Sequence, residues 1–253
     1  MSVLYGRAED GATVMVEVAA DDMARLDRHW PPLGLEVVRE PRCESSLVVT
    51  TPSAATGFEA LVGGVVTPGG WDRIESDLAL FAATHIASAV AVHAGLVRIG
   101  DRALLLPGPS RAGKSSLCMA AHRAGADVLS DEFALVDPST GLVRGWRRPV
   151  RIRAGTAGLE RHDVTVEHAP VGVAAIALLA YEPDSDPSWS PIAASGAVLG
   201  VLANTVCART RPDASLDAAL ALARTAVAVA GTRGEGDVVV GELLALLGPV
   251  GGA

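Results

Sequence analysis

Short apolar runs alternate with turns rich in glycine and proline along most of the chain, a pattern typical of an α/β protein. In the first part, residues 21–29 predict a short helix that ends at Pro31 and Pro32. The strand-like segments there are residues 12–18, 35–38 and 47–50. We expect a small N-terminal α/β lobe over residues 1–72, with no motif tied to chemistry, and interpret it as a module for substrate or partner recognition.

A larger domain is predicted over residues 73–253. Apolar spacing indicates a helix over residues 72–90, and two strands at 91–99 and 102–106 flank the turn pair Gly100-Asp101. The connection between these two strands is too short to contain a crossover helix, so we expect them to be antiparallel within a mixed sheet. Further predicted strands are residues 127–130, 133–136, 142–144 and 171–181, and further predicted helices are residues 116–123, 215–230 and 241–247.

Composition narrows the class of protein. The chain has 253 residues, of which 49% are hydrophobic and 20% charged, as expected for a folded globular protein. Its net charge of -8 argues against general binding to nucleic acid or to membrane surfaces. The three cysteines are far apart and indicate neither a disulfide framework nor a metal site. The N-terminus lacks a signal-peptide pattern and the apolar stretches are too short or too broken to span a bilayer, so we expect a cytoplasmic protein.

One segment between a predicted strand and a predicted helix fits the phosphate-binding pattern G-x-x-x-x-G-K-[ST]. Its backbone N–H groups and the following helix N-terminus would surround an anion, Lys114 would contact the outer phosphates, and Ser115 would bind Mg²⁺. The segment and its first neighbour, all assigned to nucleotide binding, are Gly108, Pro109, Ser110, Arg111, Ala112, Gly113, Lys114, Ser115 and Ser116.

Two adjacent carboxylates, Asp131 and Glu132, follow the predicted strand 127–130. Neighbouring side chains of an extended segment point apart, so the two acids are expected to have different tasks. One would face Mg²⁺ and the other the attacking hydroxyl. We assign Asp131 as the base and Glu132, with Ser115, to the metal, and the reverse assignment stays open.

His93 and a group of arginines are further candidates. His93 precedes the phosphate motif, where it is either a core histidine or a group that faces the transferred phosphoryl. The arginines either clamp phosphate oxygens or form a solvated edge strand. They are Arg144, Arg147, Arg148, Arg151 and Arg153, of which Arg148 and Arg151 are assigned to catalysis.

Taken together, residues 76–247 resemble the catalytic domain of HPr kinase/phosphorylase and its relatives. The likeness comprises His93-Ala94-Gly95, the hairpin into residues 108–115, the helix end before Asp127, and Asp131-Glu132. The resemblance implies a P-loop kinase with a fold akin to phosphoenolpyruvate carboxykinase, the use of ATP and Mg²⁺, phosphorylation of a serine hydroxyl, and a homo-oligomer.

The chain also departs from that family. Arg111-Ala112 stands where further glycine is more usual, Glu132 replaces an aspartate, and residues 151–160 only loosely echo the later glycine-rich signature. These departures argue against the reverse phosphorolytic reaction and against HPr as the acceptor. The chain looks more like shorter HPr-kinase-like proteins of peptide natural-product pathways, such as lasso peptide kinases.

The sequence therefore favours a kinase that transfers the γ-phosphoryl group of ATP to a serine of a peptide or small protein. A kinase for a small hydroxylated metabolite and a non-catalytic nucleotide-binding regulator are the alternatives. An ordinary P-loop ATPase or GTPase is disfavoured by the antiparallel hairpin and by the absence of a guanine-specificity motif.

Overall fold

The computed structural model describes residues 2–18, 20, 23, 34–39, 47–50, 59–62, 65–68, 71–153 and 159–248. The chain divides into two compact units, Met1–Ser88 and Ala89–Ala253. The domain boundary inferred from the sequence lies earlier, at residue 72. The predicted helix over residues 21–29 lies largely outside the described residues.

The described part of the N-terminal unit is one antiparallel-rich sheet followed by a helix, α1 (Trp71–Thr84). The strands are β1 (Ser2–Ala8), β2 (Thr13–Val18), β3 (Leu35–Val38), β4 (Leu47–Thr50), β5 (Glu59–Val62) and β6 (Val65–Pro68), in the order β3-β1-β2-β4-β5-β6. In β2, Val14, Val16 and Val18 alternate with less buried residues and are fully buried, so one face of this strand is in the core. The three predicted strands are confirmed. The predicted helix over residues 72–90 ends earlier, at Thr84.

The C-terminal unit has a larger mixed sheet with the order β11-β10-β7-β8-β14-β16-β15, and β9 also pairs with β7. Its strands are β7 (Val90–Ile99), β8 (Arg102–Pro107), β9 (Asp127–Ser130), β10 (Phe133–Val136), β11 (Val143–Gly145), β14 (Gly172–Tyr181), β15 (Ser188–Pro191) and β16 (Val227–Arg233). A separate pair consists of β12 (Val150–Arg153) and β13 (Leu159–His162). The helices are α2 (Lys114–Arg123), α3 (Ala194–Ala203), α4 (Pro212–Thr225) and α5 (Gly236–Ala245).

Strand directions bring the candidate residues to one edge of this sheet. β7 and β8 form the predicted antiparallel hairpin, whereas β8, β14 and β16 are parallel. The carboxyl ends of these three strands therefore lie at the same edge, where the residues after β8 meet the end of β16. The mixed α/β class predicted from the sequence is confirmed.

The predicted helix over residues 215–230 is wrong in its last part. Helix α4 ends at Thr225, and Val227 begins β16, which pairs in parallel with β14. Ala228 and Val229 are buried in this strand, and burial within the sheet outweighs the helical preference of alanine. The short helix predicted at 241–247 begins earlier, at Gly236.

Small aliphatic side chains fill the core on both faces of the sheet. Along β8, Ala103 and Leu105 belong to the cluster that packs against α3 and α4, while Leu104 and Leu106 belong to the cluster of α2 and α5. This alternation is the two-residue period of a strand covered on both sides. Within the described part of the chain, no helix is both long enough and apolar enough to cross a membrane.

Candidate functional site

The glycine loop, residues 108–113, connects β8 to α2 and has the strand–loop–helix arrangement that its motif predicts. The N–H of Gly108 donates a hydrogen bond of 3.2 Å to the carbonyl of His93, which anchors the start of the loop to β7. Gly113 adopts a left-handed conformation, with φ of 74°, at the N-cap of α2. The loop therefore turns directly into a helix N-terminus, where free N–H groups favour an anion.

Lys114, the only lysine of the chain, lies at the first position of α2. Its Nζ donates hydrogen bonds of 2.9 Å to the carbonyls of Gly108 and Pro109, and the residue is 9% exposed. Burial lowers the pKa of Lys114, and the negative charges of Glu132 and Asp131 act in the opposite direction. An ammonium group is thus held inside the glycine loop, at the position expected for contact with phosphate.

Ser115 and Asp131 meet directly. The Ser115 hydroxyl donates a hydrogen bond of 2.7 Å to Oδ2 of Asp131, whose side chain is fully buried. Asp131 lies in the two-residue link between β9 and β10, and Ser130 stabilises that link by accepting hydrogen bonds from the N–H groups of Glu132 and Phe133. The site thus places a hydroxyl and a carboxylate together, both of them oxygen ligands that Mg²⁺ prefers.

Arg148 bridges the two carboxylates. Its Nε lies 3.3 Å from Oδ1 of Asp131, and its Nη2 contacts Oε2 of Glu132. Arg151 also approaches this pair, with its Nη2 4.0 Å from Glu132 and its backbone N–H 3.4 Å from Asp131. Burial raises the pKa of Glu132, and the charge of Arg148 opposes that rise. Arg148 and Arg151 therefore lie beside both carboxylates, and their assignment to catalysis stays a prediction.

His93 lies beside the same carboxylates on β7. Its ring packs against Phe133 with 5.7 Å between the ring centroids, and Phe133 in turn packs edge-on against the buried Trp146. Burial, reinforced by the positive charges of Lys114 and Arg148, lowers the pKa of His93 to about 4. The imidazole is consequently neutral at physiological pH and suited to exchange a hydrogen bond rather than to supply a charge.

Arg233, at the end of β16, was missed in the sequence. It is 2% exposed, and its Nη2 donates hydrogen bonds of 3.1 and 2.9 Å to the carbonyls of Ala112 and Gly113. Its guanidinium also lies over the ring of Tyr181, 5.2 Å from the centroid. A Cβ at position 113 would displace this guanidinium, so packing as well as φ favours glycine there. Arg233 therefore holds two carbonyls of the glycine loop in place.

The remaining sequence candidates lie at or beyond the margin of the site. Pro109, Ser110 and Ser116 are exposed. Arg147 is 59% exposed and lies 3.8 Å from Glu167. Arg144 is exposed on β11, and the side chain of Arg153 lies outside the described residues.

The donor set fits a nucleotide with Mg²⁺. Nη1 of Arg148 is buried without a hydrogen-bond partner within the described residues, which leaves one unsatisfied donor beside the carboxylates. A phosphate oxygen would satisfy this donor. The described residues contain no group of three histidine, cysteine or acidic side chains able to enclose a metal. That is compatible with Mg²⁺, which commonly uses one or two protein ligands together with phosphate and water.

Comparison with known proteins adds little. No family model matches the chain, and no curated protein matches it. Matching solved structures include the Hpr(Ser) kinase/phosphatase from Coxiella burnetii, with 18% identity, a TM-score of 0.29, and coverage of 44% of this chain and 79% of that chain. A TM-score this low carries no argument about this chain, so the functional interpretation rests on the contacts described above.

Proposed function

We propose that this protein is an ATP-dependent kinase that transfers the γ-phosphoryl group to a serine hydroxyl of a peptide or small protein. The observation that carries the proposal is the junction of Ser115 with Asp131, directly after a glycine loop that contains Lys114. An anion-binding loop beside a carboxylate pair and an arginine is the set of groups that phosphoryl transfer uses.

Lys114 and the backbone N–H groups of the glycine loop bind the β- and γ-phosphates. Ser115 and Asp131 would hold Mg²⁺, which neutralises charge on the phosphates when it is bound. This assigns Asp131 to the metal and Glu132 to the acceptor, the reverse of our first sequence assignment. Its support is that the Ser115 hydroxyl donates its hydrogen bond to Asp131 and not to Glu132, whereas Arg148 and Arg151 contact both acids.

Glu132 accepts the proton of the attacking serine hydroxyl as that oxygen forms its bond to the γ-phosphorus of ATP. The bond from the γ-phosphorus to the β,γ-bridging oxygen breaks at the same time, and ADP leaves with that oxygen. Arg148 presents its unpartnered Nη1 to the transferring group, and Arg151 lies beside it. The neutral ring of His93 orients the acceptor hydroxyl or a phosphate oxygen by a hydrogen bond. Exposed arginines at the margin of the site, Arg144 on β11 and Arg147 after it, are complementary to a peptide with acidic residues near its serine.

The first test uses the single lysine. An acyl-phosphate derivative of ATP transfers its acyl group to an amine beside bound phosphates, and Lys114 is the only side-chain amine in the chain. We expect acylation at Lys114, measured by peptide mass spectrometry, and protection by Mg-ATP. Labelling that excess ATP does not suppress would contradict nucleotide binding at this loop.

The second test addresses transfer. The protein is incubated with Mg-ATP and either serine-containing peptides, including the peptide encoded beside its gene, or small hydroxylated metabolites. We expect a gain of one phosphate on a peptide serine, which Lys114→Ala abolishes. Transfer to metabolites alone would favour a metabolite kinase. Bound ATP that is never consumed would favour a nucleotide-binding regulator.

A further inference from the structure

Arg111 has a backbone conformation that its residue type does not explain. Among the described residues, two that are not glycine have a positive φ: Arg111 at 71° and Asp184 at 57°. Aspartate tolerates the left-handed region because its short polar side chain bonds to the nearby backbone, whereas arginine gains no such local contact. The outlier lies in the middle of the glycine loop.

A tight turn imposes this conformation. The N–H of Ala112 donates a hydrogen bond of 3.2 Å to the carbonyl of Pro109, which makes Arg111 the third residue of a four-residue turn. A positive φ at the third position is the place for glycine or asparagine. An arginine there carries backbone strain that glycine would not. Glycine at position 111 would remove that strain without any change of fold.

Contacts within the described residues do not compensate for the strain. The Arg111 side chain is exposed and has no hydrogen bond or ion pair with any residue that the structure describes. The lack of an ion pair with a described residue is unusual for an arginine of this chain, which carries 29 acidic residues against 21 basic ones. Backbone strain of this kind is concentrated at ligand-binding segments.

Resting on the proposed function, we propose that the Arg111 guanidinium binds the nucleotide phosphates, as a second cation of the glycine loop beside Lys114. Lys114 is buried and bonded to the carbonyls of Gly108 and Pro109, whereas the side chain of Arg111, in the same loop, is exposed. A guanidinium there can bond two phosphate oxygens through two parallel N–H groups of its rigid plane, a geometry that the ammonium group of lysine does not offer.

The test compares three substitutions by calorimetric titration with Mg-ATP and with AMP, alongside thermal unfolding. Arg111→Gly and Arg111→Asn accept a positive φ but lack the positive charge. Arg111→Lys keeps the charge but lacks the bidentate guanidinium. We expect Tm to be kept or raised in the first two, while the Kd for Mg-ATP rises about tenfold or more. The Kd for AMP should change less, and Arg111→Lys should be intermediate.

Arg123→Asn is the matched control, because Arg123 is an exposed arginine of α2 that pairs with Asp237 on α5. It should leave both nucleotide affinities unchanged. Wild-type affinity for Mg-ATP in Arg111→Gly and Arg111→Asn would overturn the proposal. So would a higher KM for the phosphate acceptor with an unchanged Kd for ATP, since Arg111 would then serve the acceptor. Failure of the wild-type protein to bind Mg-ATP would instead remove the proposed function itself.

Discussion

The hydroxyl of Ser115 and the carboxylate of Asp131 are 2.7 Å apart, although 16 positions separate them in the chain. Their contact joins the start of α2 to the link between β9 and β10. Glu132, the next residue, contacts Arg148, which also contacts Asp131. The two adjacent acids thus share an arginine, and the hydrogen bond from Ser115 distinguishes Asp131 from Glu132.

Exchange of each acid for its amide tests the proposed roles separately, with Glu132 as the base and Asp131 as a ligand of Mg²⁺. Glu132→Gln should lower kcat by about 10²–10⁴-fold and leave the Kd for Mg-ATP nearly unchanged, because it removes the base but not a metal ligand. Asp131→Asn should instead raise the Mg²⁺ concentration needed for half-maximal turnover. Initial rates over a Mg²⁺ titration give both quantities. The opposite distribution between the variants would restore Asp131 as the base.

Arg148 is expected to be a structural as well as a catalytic cation. Arg148→Ala leaves Asp131 and Glu132 buried without their main counter-charge, so unfolding should become easier by about 3–5 kcal/mol. Arg147→Ala, at an exposed neighbour, should change stability by less than about 0.5 kcal/mol. Urea unfolding measures both.

A second substitution separates lost pairing from lost packing at Arg148. Adding Glu132→Gln to Arg148→Ala should restore part of the stability, since it removes one uncompensated charge. No recovery would indicate that packing of the arginine side chain, rather than pairing, provides the stability.

The glycine loop depends on Arg233 behind it. Gly113→Ala and Gly125→Ala both place alanine at a positive φ, 74° and 91°, which costs about 1–2 kcal/mol in each case. At position 113 the Cβ of alanine would also lie too close to the Arg233 guanidinium, whereas a Cβ at position 125 meets no atom within 4 Å. We expect Gly113→Ala to abolish Mg-ATP binding and Gly125→Ala to retain it, measured by calorimetric titration. Equal affinities would exclude Arg233 as the residue that positions the loop.

His93 predicts a pH-dependent stability. Its pKa is about 4 in the folded protein against 6.5 for the free side chain, so the unfolded chain binds more protons between these values. The contribution of His93 is therefore present above pH 6.5 and is lost as the pH falls towards 4. The free energy of unfolding should depend less steeply on pH in His93→Gln than in wild type over that interval. Parallel pH profiles for the two proteins would contradict a neutral, buried His93.

Local patterns were enough for the parts of the site that are contiguous in sequence. The glycine motif and the Gly100-Asp101 turn fix the hairpin and the loop within about fifteen residues, because turn chemistry acts between neighbours. The adjacent acids were found in the same way. Which acid meets Ser115 was not predictable, because that depends on how the β9–β10 link turns over α2.

Arg233 illustrates what sequence patterns omit. Its role follows from the parallel pairing of β14 with β16, and that pairing was hidden because the alanine-rich stretch before it indicated a continuous helix. Valine at alternate positions from Val227 onward was the available signal for a strand. Even a correct strand assignment would leave the contact with Ala112 and Gly113 unknown, since it joins residues 120 positions apart.

The pairing of β9 and β10 with β7 limits which insertions the site can accept. β9 and β10 both pair with β7, at Leu96 and at His93, and Asp131 and Glu132 are all that lies between them. A residue inserted in this link could not be accommodated without a shift in the pairing of β9 or β10 with β7, and it would exchange the directions of the two carboxylates. Evolution or engineering of this link is therefore restricted to replacing side chains at constant chain length.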